Sequence, residues 1–222
     1  MRSVILNFHG IGEPSRKLEP GEAPYWVSPS YFEDVLKIAS QLKGQVSTDL
    51  TFDDGNTSDI SLAAPLLARY DVRATFFVLS SRLDKPGSMS SSDLRQLVSD
   101  GHKIGSHGAD HVDWTALGPA DEYREWTEAR DIIATAANQD IDSAAIPFGR
   151  YRKRVLCGLK ANGYGKIYSS DGGAWHSKTP PIPRTSPRCD MPLESIRALL
   201  LGQEPAGRTF RRRIAMAVKR RI

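Results

Sequence analysis

Thr51-Phe52-Asp53-Asp54-Gly55 closes an apolar run, and adjacent carboxylates in such a place call for a cation or a shared proton. An exposed Asp-Asp-Gly turn would account for the same residues. His107-Gly-Ala-Asp-His111 sets two imidazoles four residues apart, a spacing from which both can reach one divalent metal. With one carboxylate they would form a two-histidine, one-carboxylate site with positions open to water and substrate. Either segment alone is readily produced by chance. Together, about fifty residues apart and each at the C-terminal end of a strand, they fall on the edge where α/β folds gather their sites.

Two further segments end strands. In Ala145-Ile146-Pro147-Phe148-Gly149, Pro147 and Gly149 fix a turn whose backbone N–H groups could stabilise an oxyanion. A plain strand-to-helix turn reads equally well. In Ser169–His176, Asp171 and Trp175 with glycines between them could build a pocket wall, or simply a polar loop over a buried indole.

The elements that must position these residues alternate in type. Strands are predicted at Val4–Phe8, Thr48–Phe52, Ala74–Leu79, Lys103–Ser106, Ala144–Phe148 and Lys166–Ser169. Helices are predicted from a Ser30 cap to Leu42, over Ile60–Tyr70 with Pro65 as a difficulty, over Leu94–Val98 behind Ser91 or Ser92, and over Asp121–Ala137, Arg152–Ala161 and Pro192–Leu201. Repeated strand–helix units imply a parallel sheet with outer helices, as a barrel or doubly wound. The segments 10–29 and 170–190 read as long loops, and long loops in compact domains are often functional. Tyr25 and Trp26 in the first could cover a site or stack on a sugar.

Of the 30 basic residues, seven lie in residues 208–222 with no acid, leaving 23 against 26 acidic ones in the remainder. The mildly acidic body argues against a nucleic-acid partner. Residues 1–205 are expected to form the catalytic domain, and 206–222 a basic tail or helix. In the tail, Ile214, Met216, Val218 and Ile222 give only a weak helical stripe. A solvated terminal helix is the favoured expectation, with weak contact to an anionic membrane surface as the alternative. Cys157 and Cys189 read as two unrelated thiols. The run Val4–Phe8 is too short for a signal peptide, which places the chain in the cytoplasm as an expectation.

The order TFDDG, H-x3-H, PFG, D-x3-W resembles the polysaccharide deacetylase family, the NodB-homology domain of carbohydrate esterase family four, over roughly residues 4–190. The resemblance implies a deformed (β/α) barrel, often seven-stranded, and metal-dependent removal of acetyl groups from glycans. Carried over, Asp53 is the catalytic base, and Asp54, His107 and His111 hold the metal, Zn²⁺ or else Co²⁺, Mn²⁺ or Ni²⁺. The Phe148 N–H, next to Pro147, helps bind the oxyanion, and Asp171 and Trp175 match the fourth motif. Three departures stand out. Gly108 replaces the usual Ser or Thr, which removes a local hydrogen bond. Ala145 stands where many members have an Arg that orients the catalytic Asp. The Leu-x-His motif that supplies the general acid is absent. His9, at the end of the first strand, and then His176, in a Gly- and Pro-rich loop, are the remaining candidates for a proton donor. Arg184 and Arg188 are placed to stabilise charge rather than to give up a proton.

The expected function is hydrolysis of acetyl groups, N-acetyl favoured, on a small or lipid-linked saccharide. The alternatives are a C–N hydrolase acting on a non-sugar amide and a non-catalytic carbohydrate-binding relative. Asp53 together with three metal ligands speaks against the latter.

Overall fold

In the computed structural model, residues 1–175 and 179–221 are described. Seven parallel strands carry the fold: β1 (Arg2–Phe8), β4 (Val46–Phe52), β5 (Ala74–Val78), β6 (Lys103–Ser106), β7 (Ser143–Ala145), β8 (Lys166–Ser169) and β10 (Ile182–Pro183). They pair in that order. Thr185, just past β10, then bridges back to β1. Its N–H donates to the Ile5 carbonyl and its own carbonyl accepts from Asn7 N–H, both at 2.9 Å. The sheet is thereby nearly closed into a barrel. An eighth strand, β9 (Ala174–Trp175), runs antiparallel beside Ser3 and Val4. The segment 170–190 is thus not a bare loop. A separate parallel pair, β2 (Gly10–Ile11) and β3 (Trp26–Val27), anchors both ends of the 10–29 segment.

The strand sequences explain the closure. β1 and the second half of β4 are buried without alternation, as strands with helices outside and packed side chains inside must be. Phe8, Phe32, Phe52 and Phe76 form a continuous aromatic seam, with Phe8–Phe32 at 4.8 Å and Phe52–Phe76 at 4.7 Å between centroids. The strand predicted over Ala144–Phe148 ends already at Ala145, because Pro147 and the left-handed Phe148 (φ 57°) turn the chain out of the sheet.

Helices α1 (Pro29–Gln41), α2 (Ala64–Arg69), α3 (Ser91–Ser99), α4 (Pro119–Tyr123), α5 (Ala129–Ala137), α6 (Lys153–Ala161), α7 (Leu193–Leu201) and α8 (Ala206–Lys219) lie between or after the strands. α1 is capped by Ser28, not Ser30: its Oγ accepts from Tyr31 N–H, and Pro29 occupies the first turn. α3 is capped by Ser90, whose reciprocal bonds with Asp93 form a capping box. The difficulty at Pro65 resolves because a π-turn (Asp59–Ala63) runs into α2 without a break, and its wider bond from Ala64 N–H to the Asp59 carbonyl falls beside the residue that has no N–H to give. A second π-turn (Arg124–Glu128) joins α4 to α5. Trp126 in this turn and Ile133 in α5 are buried, whereas Tyr123 in α4 and Ile132 in α5 are exposed. Cys157 and Cys189 are both exposed and free. Among the described residues no helix is long and apolar enough to cross a membrane.

Candidate active site

Asp53 and Asp54 follow β4 directly, His107 follows β6, and all three are almost completely buried. Asp54 adopts φ 76°, His111 φ 56° and Phe148 φ 57°. Three non-glycine residues in the left-handed region around one cleft represent stored backbone strain of a kind that concentrates at functional sites. The cleft, of about 220 Å³, is lined among others by His9, Tyr25, Asp53, Asp54, His107, His111, Phe148 and Arg184.

The two carboxylates have different surroundings. Asp53 is gripped by Arg184 through both oxygens, at 2.7 and 2.8 Å, and Asn7 Nδ2 donates to it at 2.9 Å. The same guanidinium reaches Asn7 Oδ1 at 2.7 Å and lies over the Phe77 ring. Burial would raise the Asp53 pKa, but the adjacent Arg184 outweighs it and holds the carboxyl well below the usual range. Arg184 is thus not poised over the oxyanion position. Its guanidinium reaches Asp53 from just past β10, on the other side of the closure.

Asp54 lacks such a partner. Its Oδ1 is buried without a hydrogen-bond donor and faces His107 Nε2 at 3.8 Å and His111 Nε2 at 3.7 Å. The distal nitrogens of both rings meet acceptors: His107 Nδ1 donates to the Ala145 carbonyl at 2.8 Å, and His111 Nδ1 to the Glu19 carboxylate at 2.7 Å. Since carbonyls and carboxylates only accept, both Nδ1 atoms carry the proton and both Nε2 lone pairs point inward. Burial depresses the His107 pKa to about 4, which keeps that ring neutral. Three acceptor atoms therefore converge, those of the buried Asp54 and His107 and of the partly exposed His111, all within 4.8 Å of one another. A divalent cation satisfies this arrangement, and the donor set suits a first-row ion.

Glu19 gave no signal in the sequence beyond its place in a loop rich in Gly, Pro and Glu. It is itself paired with Arg82. Glu125 was also missed. Its buried carboxylate accepts from Ala109 N–H (2.8 Å), Asp110 N–H (3.1 Å) and Trp114 Nε1 (3.2 Å), so the loop between the two histidines is tied down from α4–α5. Gly108 itself donates its N–H to Ser106 Oγ at 3.2 Å. A Cβ at Gly108 would lie 2.3 Å from Glu125 Oε2, so the glycine leaves room for that carboxylate.

The remaining candidates separate into two groups. His9 lines the cleft, packs at a tilt on Tyr25 with 4.9 Å between centroids, and has a buried Nδ1 without a partner among the described residues. Phe148 is half exposed at the mouth and packs on His111 at 4.4 Å, while Pro147 is buried beneath the turn. Asp171 is turned away from the metal ligands. It accepts from Tyr151 (2.9 Å), Ser169 (2.6 Å) and Lys219 (2.7 Å), which makes it a fastener between β8 and α8. Trp175 pairs with Ser3, at the opposite end of β1 from His9, and the structure does not bring it to the cleft. His176 lies outside the described residues.

Residues 43–167 match the family model described as polysaccharide deacetylase. A peptidoglycan-N-acetylglucosamine deacetylase of Listeria monocytogenes is 27% identical over 151 residues, covering 66% of this chain and 31% of the relative. A chitooligosaccharide deacetylase of Sinorhizobium fredii is 33% identical over 116 residues, covering 51% of this chain and 52% of the relative. The chain spans about half the length, or less, of these curated relatives. Among solved structures, a Streptococcus pyogenes deacetylase in complex with acetate superposes with TM-score 0.78 over 92% of this chain and 99% of that one at 20% identity, a likeness of fold.

Proposed function

This chain belongs to the polysaccharide deacetylase family, and from that premise we propose that it hydrolyses acetyl groups, N-acetyl by preference, on a saccharide or glycan precursor with the help of a divalent metal, Zn²⁺ first among Co²⁺, Mn²⁺ and Ni²⁺. The observation that carries the reading is the donorless convergence of Asp54 Oδ1 with two inward Nε2 lone pairs, beside a carboxylate that is not part of that set.

Asp54, His107 and His111 would hold the ion, which when bound supplies Lewis acidity to the acetyl carbonyl and acidifies water. Asp53 is ionised throughout the neutral range. Its depressed pKa makes it a weak base, suited to taking a proton from an acidified water rather than from a bulk one. Arg184 and Asn7 fix its orientation. As the water oxygen bonds to the acetyl carbon, its proton passes to Asp53, and the Phe148 N–H steadies the developing oxyanion. The C–N bond then breaks, and His9, whose side chain borders the cleft, protonates the leaving amine. The half-exposed Phe148 and Tyr25 offer flat apolar faces for a sugar ring.

Acetate release from a panel of N-acetylated sugars and simple acetamides, with metal-loaded and chelated protein, tests the proposal. Asp53→Asn should keep the metal and lose about 10²–10⁴-fold in rate. Undiminished release by Asp53→Asn, or by chelated protein, would overturn it. Release confined to the acetamides would favour the non-sugar amide reading.

A further inference from the structure

A surface helix ordinarily turns its apolar stripe to the body and its charges to water. α8 does the reverse. On its inner side Arg212 pairs with Glu204 (2.8 Å), and Lys219 donates to Asp171 (2.7 Å) and to the Gly149 carbonyl (3.2 Å). Arg220, just past the helix end, donates to the Thr179 and Pro181 carbonyls at 3.0 and 3.3 Å. Its outer side presents Phe210, Ile214 and Val218, one above another at i, i+4 and i+8, and 65%, 49% and 50% exposed. Met216, expected to belong to the stripe, faces inward, and no residue of the helix is buried.

The charges on this helix indicate what would cover the stripe. Arg208, Arg211 and Arg213 are exposed and, among the described residues, form no ion pair; residues 206–221 contain no acid. At 3.6 residues per turn, Arg211 and Arg213 fall on opposite flanks of Ile214. A second copy of the helix would bring arginines against arginines, and a nucleic acid would leave the apolar stripe in water. An anionic bilayer accepts both features, with acyl-chain boundary for the stripe and headgroups for the guanidiniums.

We propose that α8 docks the protein on an anionic lipid surface through Phe210, Ile214 and Val218, with Arg208, Arg211 and Arg213 at headgroup level. The proposal goes beyond the hydrolytic reading and does not depend on it. Because Lys219 holds the Gly149 carbonyl, and Gly149 and Phe148 line the cleft, docking keeps the rim of the site near the membrane, where a lipid-linked saccharide would reside.

Co-sedimentation of the full chain with vesicles of phosphatidylglycerol and phosphatidylcholine, against vesicles of phosphatidylcholine alone, tests this. Binding to the anionic vesicles should be at least about tenfold stronger and should weaken with added salt. Two triple variants, Phe210→Ser/Ile214→Ser/Val218→Ser and Arg208→Gln/Arg211→Gln/Arg213→Gln, should each lose about tenfold or more in vesicle binding. Their melting temperatures and their hydrolysis of soluble substrate should match wild type, since these side chains touch neither core nor cleft. A wild-type chain left in the supernatant by anionic vesicles overturns the proposal. So does unchanged binding by both variants, or light scattering that finds a dimer broken by the serine variant, which would assign the stripe to a second copy.

Discussion

Arg184 divides the two carboxylates after β4 into different roles. By neutralising Asp53 it leaves Asp54 as the carboxylate in need of a cation. The two-oxygen grip requires the planar fork of a guanidinium, which an ammonium cannot reproduce. Arg184→Lys should therefore retain metal and fold but lose rate by about 10–10³-fold, as misplacement of a catalytic group does. Followed by NMR in the metal-free protein, the Asp53 carboxyl of this variant should titrate at higher pH than in wild type as it is released from its depressed pKa; an unchanged titration would show that Arg184 does not tune Asp53. The Asp-Asp-Gly and His-x3-His signals were legible because their residue types are costly to bury without a purpose. Arg184 was legible only as a charge, since its partner lies 131 positions away in sequence and depends on barrel closure. A different buried acid offers a second prediction. Asp59 is fully buried with neither oxygen bonded, and burial, then the charge of Asp54, pushes its pKa well above normal. A carboxyl whose folded pKa is raised costs stability once pH exceeds its unfolded value near 3.9. Metal-free Asp59→Asn should thus melt above wild type at pH 7 by about 2–4 °C for each ~1 kcal/mol regained, and coincide with it near pH 3. Equal melting at both pH values would mean that Asp59 is not strained by ionisation.

At the scale of elements, two segments set the metal ligands from outside the strands that carry them. The 10–29 segment, anchored by the β2–β3 pair, delivers Glu19 to His111. The α4–α5 π-turn delivers Glu125 to the loop between the histidines. Glu19→Gln should keep the fold but weaken metal affinity about 10–100-fold, the usual cost of losing a carboxylate behind a ligating histidine. Titration calorimetry with Zn²⁺ checks this, and unchanged affinity would reduce Glu19 to a surface partner of Arg82. Gly108→Ser is a sharper case, because the resemblance makes serine look like a repair. Here Gly108 sits at φ 89° and a Cβ would strike Glu125, so the substitution should lower both melting temperature and metal content. A rise in either would show that the loop can accept the family's usual residue. Most strand and helix positions could be read from hydrophobic period, but the order of the strands in the sheet could not, because period marks an element and not its neighbours. The caps at Ser28 and Ser90 were each displaced by one or two residues, because several serines compete there and only backbone geometry selects the acceptor. The two short strands after β8 were not legible: two residues each are too few for a periodicity to register.

For the whole molecule, the proposed ion would join segments that the sheet holds only at their bases. Asp54 rises from β4, and His107 and His111 from β6, with β5 between them. An ion bound there is bound by the folded chain and not by the unfolded one. At a hundredfold excess over Kd it should add ~2.7 kcal/mol, or about 5–11 °C in Tm for a chain of this size. The pH dependence follows from His107. Burial holds its folded pKa near 4, below the unfolded value near 6.5, so the unfolded state takes up the proton first as pH falls. Stability of the metal-free protein should therefore decline between pH 6.5 and 4. For the same reason His107 stays neutral, and able to bind metal, at a pH where a solvent-exposed imidazole would be protonated. The metal-dependent rise in Tm should accordingly persist at pH 5.5 and fade toward pH 4. Differential scanning calorimetry with and without chelator across this range gives the measurement. No chelator effect at any pH would refute the metal site, and a rise already lost at pH 6 would show that the burial of His107 does not set the pH at which metal binding fades.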